Sequence, residues 1–114
     1  MSLVEKQASK VEAFSFFVEI PALSDSSFTL MEYAPYACSV DYLFLKTDAG
    51  DIDVSIQING TDVTGMDTVS ATSTQSTFTA TAANIVTAGN RVTVLMENDN
   101  ISERLAGTLQ VTRI

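Results

Sequence analysis

The chain has 114 residues, 46% of them hydrophobic, with a mean hydropathy of +0.20; this describes one domain with material for a core and excludes wholesale disorder. Six basic residues against 14 acidic ones leave a net charge of −8 and no cluster of Lys or Arg, which argues against binding to nucleic acid or to an anionic membrane. Histidine is absent and Cys38 is the single cysteine, which removes Ser-His and Cys-His catalysis, most zinc and copper sites, and any internal disulfide.

Residues 1–10 read as a polar arm whose apolar anchors are Leu3, Val4 and Ala8. Charges at Glu5, Lys6, Lys10 and Glu12 interrupt any signal-peptide core, and no apolar run reaches the length of a transmembrane helix. Together with the lone cysteine, this places maturation in a reducing cytoplasm. A β-sandwich domain is expected over 11–114.

The first predicted strand runs from Val11 to Ile20, with Phe14, Phe16, Val18 and Ile20 on one face, and Pro21 ends it. Ser24-Asp25-Ser26-Ser27 is a turn cluster, and a second strand passes through Phe28 and Leu30 towards Tyr33. Ala34-Pro35 keeps the backbone extended or turning. The third strand, Cys38 to Thr47, sets Val40, Tyr42 and Phe44 on one face and Leu43 and Leu45 on the other. A strand apolar on both faces is expected to be central. Asp48-Ala49-Gly50 is read as a turn into a fourth strand, Asp51 to Asn59.

That fourth strand carries the clearest pattern. Ile52, Val54, Ile56 and Ile58 alternate with Asp51, Asp53, Ser55, Gln57 and Asn59, the period of a strand with one face on a core and one in water. The isoleucine face is expected to be buried with Phe44, Val92, Val94, Leu109 and Val111. Asn59-Gly60 is a hairpin signal, because both residues tolerate positive φ. A short return strand holds Val63 and stops at Gly65.

The Thr- and Ser-rich stretch from Thr68 to Thr81 is read as strand, with Val69, Phe78 and Ala80 reaching the core. Ala88-Gly89-Asn90 is a turn. Arg91 to Glu97 follows as a strand, Asn98-Asp99-Asn100 as a turn, and Arg104 to Arg113 as a last strand with Leu105, Leu109 and Val111 inside. About eight short strands at roughly 8–12-residue spacing predict an all-β protein, a single antiparallel sandwich of jelly-roll type. An immunoglobulin-like sandwich is the rival, but its Cys and Trp core signature is missing.

Chemistry-bearing constellations are few. Asp48, Asp51 and Asp53 stand near Gly50 as a candidate calcium set, although their spacing departs from the EF-hand loop. Turn chemistry and a solvated, charged edge are the preferred account of them, so neither metal nor cofactor is expected. Tyr33 and Tyr36 flank Ala34-Pro35 as candidate glycan contacts, or else as caps on the core with their hydroxyls at its rim. Cys38 has no activating base near it in sequence and reads as an inert thiol. No catalytic residues are identified, and no enzyme is expected.

The ordered series EYAPYACSVDYLFLKTDAGDIDVSIQINGTDVTG, TATAANIVTAGNRVTVLMEN and LAGTLQVTR resembles small virion proteins of tailed bacteriophages over about Phe28 to Arg113. The shared features are a Tyr-rich start, K-T-x-x-G, I-N-G-T-x-V-T-G, A-G-N/D-R-V and a final L-x-x-T-L-x-x-T-R. The resemblance implies a capsid decoration (cement) protein or a head- or tail-fibre domain, and it carries over no catalytic residue. Without repeats or a coiled coil, a stand-alone protein of the capsid exterior is expected. The expected partners are the major capsid protein and further copies of the chain in a homotrimer, with Leu3 and Val4 of the arm as contact residues. A glycan- or receptor-binding fibre or baseplate module is the alternative.

Overall fold

The computed structural model describes residues 10–19 and 26–114. The arm with Leu3 and Val4, the end of the first predicted strand at Ile20, and the Pro21 stop lie outside the described residues. Eight strands are found among the described residues, all paired antiparallel: β1 Val11–Val18, β2 Ser26–Met31, β3 Cys38–Ile58, β4 Thr61–Asp62, β5 Val69–Ala71, β6 Ser76–Thr79, β7 Ile85–Val86 and β8 Val92–Arg113. No described residue is helical.

Two of these strands are long. The predicted third and fourth strands are one element of 21 residues, and the two C-terminal strands are one of 22. They pair with each other from Cys38 opposite Arg113 to Ile58 opposite Val92. The turn expected at Asp48-Ala49-Gly50 is therefore a bulged stretch inside β3, and the one at Asn98-Asp99-Asn100 lies inside β8. The strand register shifts there, between Ala49 and Asp51 and again between Asp51 and Asp53.

The local backbone explains why these residues looked like turns. Gly50 has φ +67°, and Asn98 and Ile101 on the facing strand have φ 53° and 51°, all in the left-handed region that bulges use. Side chains rivet the two strands at this level: Asn98 donates to Asp53 at 2.9 Å and Asn100 to Asp51 at 3.2 Å. Within β3, Thr47 donates to the Gly50 carbonyl at 2.8 Å and holds the bulge.

The ribbon folds over on itself at this bend. A straight strand of this length would run about 65–70 Å, yet the longest dimension of the molecule is 53 Å. Phe16 of β1 pairs beside Gly107, far along β8 from Val94, the partner of Phe28 in β2. The two rings nevertheless meet edge to face with centroids 5.4 Å apart. One half-sheet contains β1, the C-terminal part of β8, the N-terminal part of β3, β6 and β7. The other contains β2, the N-terminal part of β8, the C-terminal part of β3, β4 and β5. The result is a sandwich whose two layers share their central strands.

The core lies between the layers as one cluster. Ile52, Val54, Ile56, Val92, Val94, Leu105, Leu109 and Val111 are fully buried, and Ile58 nearly so. Phe44 is the exception among the expected core residues. A bulge between Val40 and Tyr42 changes the parity of β3, so Val40 joins Leu43 and Leu45 inside while Tyr42 and Phe44 face outward. The hairpin at Asn59-Gly60 forms as expected, with φ 52° and 85°. The Thr-rich stretch is two strands, β5 and β6, and Val69, Phe78 and Ala80 pack against the core. Tyr33 lies beyond β2 and is not part of it.

Candidate binding surfaces

The outward positions of the first half-sheet form one surface. Cross-strand rows run Val11–Thr112–Ser39–Ile85, Ala13–Gln110–Tyr42–Thr79, Ser15–Thr108–Phe44–Thr77 and Phe17–Ala106–Lys46. Along β1, burial alternates strictly, and Val11, Ala13, Ser15 and Phe17 are the exposed set. Val11, Phe17, Tyr42 and Ile85 are 53%, 59%, 40% and 54% exposed, so the face presents large apolar side chains to solvent. A shallow groove of about 530 Å³ crosses it between Phe17, Phe44 and Ala106. The Arg104 guanidinium sits 4.9 Å above the Phe17 ring, a cation–π contact that holds the ring at the groove edge. Among the described residues, β1 pairs on one side only, with β8, so its other backbone edge is open.

The predicted site residues are dispersed. Tyr33 is 75% exposed and lines a groove on the second half-sheet. Tyr36 is elsewhere, half-buried against β1. It donates a hydrogen bond to Glu12, and the Arg113 guanidinium lies 4.1 Å over its ring while bridging to Glu12 at 3.5 Å. Partial burial, then the hydrogen bond and charge of Glu12, push the Tyr36 phenol from 10.0 up to about 12. The two tyrosines therefore do not form one sugar platform, and Tyr36 clamps the Ala34–Ala37 connection to β1 and β8.

Asp51 and Asp53 are each bound by an asparagine of β8, and Asp48 lines a different hollow with Glu19, Glu103 and Arg104. Among the described residues no three acidic or cysteine side chains gather as a metal-binding group. Cys38 is fully buried at the start of β3. Burial first, then the Asp41 and Glu12 carboxylates, push its thiol pKa up.

Sequence reasoning missed the apolar outer face and the ion pair of Glu32 with Arg91 at 3.0 Å. A signal for the face was present. Phe17 falls between the inward Phe16 and Val18, on the same outward face as Val11, and apolar residues grouped on a solvent face mark a contact surface.

No family model matches the chain, and no curated protein matches it in sequence. Among solved structures, the nucleoplasmin-like N-terminal domain of Drosophila FKBP39 is similar over 93% of this chain and 92% of that domain, with a TM-score of 0.54 and 6% identity. The infectious bursal disease virus VP2 subviral particle is similar over 90% of this chain and 32% of that one, with a TM-score of 0.47 and 14% identity. The catalytic domain of a GH87 alpha-1,3-glucanase in complex with nigerose is similar over 87% and 22%, with a TM-score of 0.47 and 12% identity. The chain thus spans about a third or less of the last two. What it shares with the nucleoplasmin-like domain is an all-β fold over nearly the full length of both.

Proposed function

We propose that this chain is a non-enzymatic structural protein of a virion, a decoration protein that binds the assembled capsid shell and ties neighbouring capsomers together. The observation that supports this most is the outer face of the first half-sheet. There, Val11, Phe17, Tyr42 and Ile85 are exposed together beside a strand edge that no described strand pairs with. The motif order from Phe28 to Arg113 and the all-β fold are consistent with it. The mechanism is added interface: apolar side chains leave water against the shell, and a homotrimer would repeat the contact around a threefold junction. The major capsid protein is the partner, and the capsid exterior is the location.

Co-sedimentation with undecorated capsids tests the proposal. Phe17→Ser and Phe44→Ser should each weaken binding by about tenfold or more, the effect of a contact worth at least 1.4 kcal/mol. Phe17 is 59% exposed, so melting of Phe17→Ser should change little, while the half-buried Phe44 should lose some stability on substitution and stay folded at the assay temperature. No co-sedimentation of the unaltered protein, or unchanged binding by both variants, refutes the proposal.

A further inference from the structure

The second outward face of the sandwich differs from the first. It carries a groove of about 490 Å³ lined mostly by polar residues, with the exposed Tyr33 and the apolar Leu95 among them. That volume is in the range of small-molecule sites. We propose that this groove binds a neutral saccharide, with Tyr33 stacking on a sugar ring and the strand side chains below it binding the hydroxyls.

The positions are held by strands and not by loops alone. Thr29 of β2, Thr93 of β8, Gln57 of β3 and Asp62 of β4 form one cross-strand row, and Gln57 and Thr93 line the groove. Gln57 donates to Asp62 at 2.9 Å, which fixes the orientation of its amide. Asn59 and Arg91 are tied twice: the Arg91 backbone N–H donates to the Asn59 side chain, and the Asn59 N–H to the Arg91 carbonyl, each at 2.8 Å. The Arg91 guanidinium is held in turn by Glu32 at 3.0 Å. Polar groups set in advance in this way lose little freedom when a ligand arrives.

The ligand class follows from this chemistry. A tyrosine that is three-quarters exposed offers a rigid ring with only two side-chain torsions to fix. Such a ring suits the C–H face of a pyranose. Planar guanidinium, carboxylate and amide groups nearby suit adjacent hydroxyls, which both donate and accept. An anionic sugar is disfavoured, because Glu32 already balances Arg91 and the whole chain carries −8. A wholly apolar ligand is disfavoured by the polar lining at Glu32, Gln57, Arg91 and Thr93, with Leu95 as an apolar contact beside them. The groove lies on the half-sheet away from the proposed capsid-binding face, so the two activities do not compete.

The test is a backbone amide NMR titration with maltohexaose, chitohexaose and mannopentaose as neutral probes, and sialyllactose as an anionic one. Saturable shifts near Asn59, Gly60 and Arg91 are expected from at least one neutral probe by roughly 20 mM, the range of weak single-site binding. Tyr33→Ala should weaken that binding by about tenfold or more, and Tyr33→Phe should retain most of it. Phe17→Ser, on the other face, should leave it unchanged. The inference is overturned if no neutral probe gives saturable shifts, if sialyllactose alone binds, or if Tyr33→Ala binds as well as the unaltered protein.

Discussion

Gly50→Ala should be among the most damaging single-atom additions to this protein, and Gly60→Ala should be mild. Both glycines have positive φ, +67° and +85°. An L-residue in that region costs about 1–2 kcal/mol. At Gly60 nothing lies within 4 Å of the added Cβ, so only this backbone term applies. At Gly50 the Cβ would stand 2.3 Å from the carbonyl oxygen of Ile101 and 2.5 Å from that of Asn100. These are backbone atoms of the facing strand, and they yield only if the bend itself moves. The combined loss should be about 3–4 kcal/mol, near the upper end for a point substitution. For a domain of this size, that lowers the melting temperature by about 10–20 °C. Urea unfolding followed by circular dichroism is the assay, with the slope held constant and the midpoint falling. Equal losses for the two variants would show that Gly50 is not packed against β8, and would remove the bend as the hinge of the sandwich.

Tyr36 should make the protein sensitive to alkali. Its phenol is raised from 10.0 to about 12 in the fold, so its contribution is complete below pH 10 and is lost as the pH rises towards 12; Tyr36→Phe should flatten that decline, and an identical decline in both proteins refutes it. Phe16→Ala and Phe28→Ala should show a coupling of about 0.5–1.5 kcal/mol in a double-mutant cycle, because their rings join the two layers; additive losses would mean that the contact contributes nothing. Cys38, fully buried and with a raised thiol pKa, should react with a thiol reagent only at the rate of global unfolding, and faster labelling would contradict the packing around it.

The alternation at Ile52, Val54, Ile56 and Ile58 was legible because one face of the strand is dry and the other wet, and that contrast is written residue by residue. The hairpin was legible for a similar reason, since Asn59-Gly60 supplies the two positive φ values by itself. The continuity of β3 and β8 was not legible. Gly50, Asn98 and Asn100 belong to the residue types that make turns, and a bulge uses the same left-handed backbone. Whether the chain reverses or continues there is decided by the facing strand, through contacts such as Asn98 with Asp53. Phe44 was misplaced for a related reason: one extra residue between Val40 and Tyr42 inverts the parity that follows. At the candidate sites, Tyr33 and Tyr36 are close in sequence, yet the bends around Pro35 send one to an open groove and the other beneath Arg113.

The shared ribbon also dictates the order of events during synthesis. Each central strand has the other as its main partner, and β8 is made after all the other described strands. Until Val92–Arg113 has left the ribosome, β3 has only short strands to pair with, and β1 and β2 have no strand neighbour among the described residues. Cys38 must then find Arg113, and Ile58 must find Val92, across long intervening stretches of chain. Closing such loops before contacts repay the entropy makes folding slow, on the order of milliseconds to seconds. The nascent chain therefore waits with Phe14, Phe16 and the isoleucine face of β3 in water. Protein yield in a fast-translating host should depend on the availability of chaperones more than on the stability of the finished sandwich.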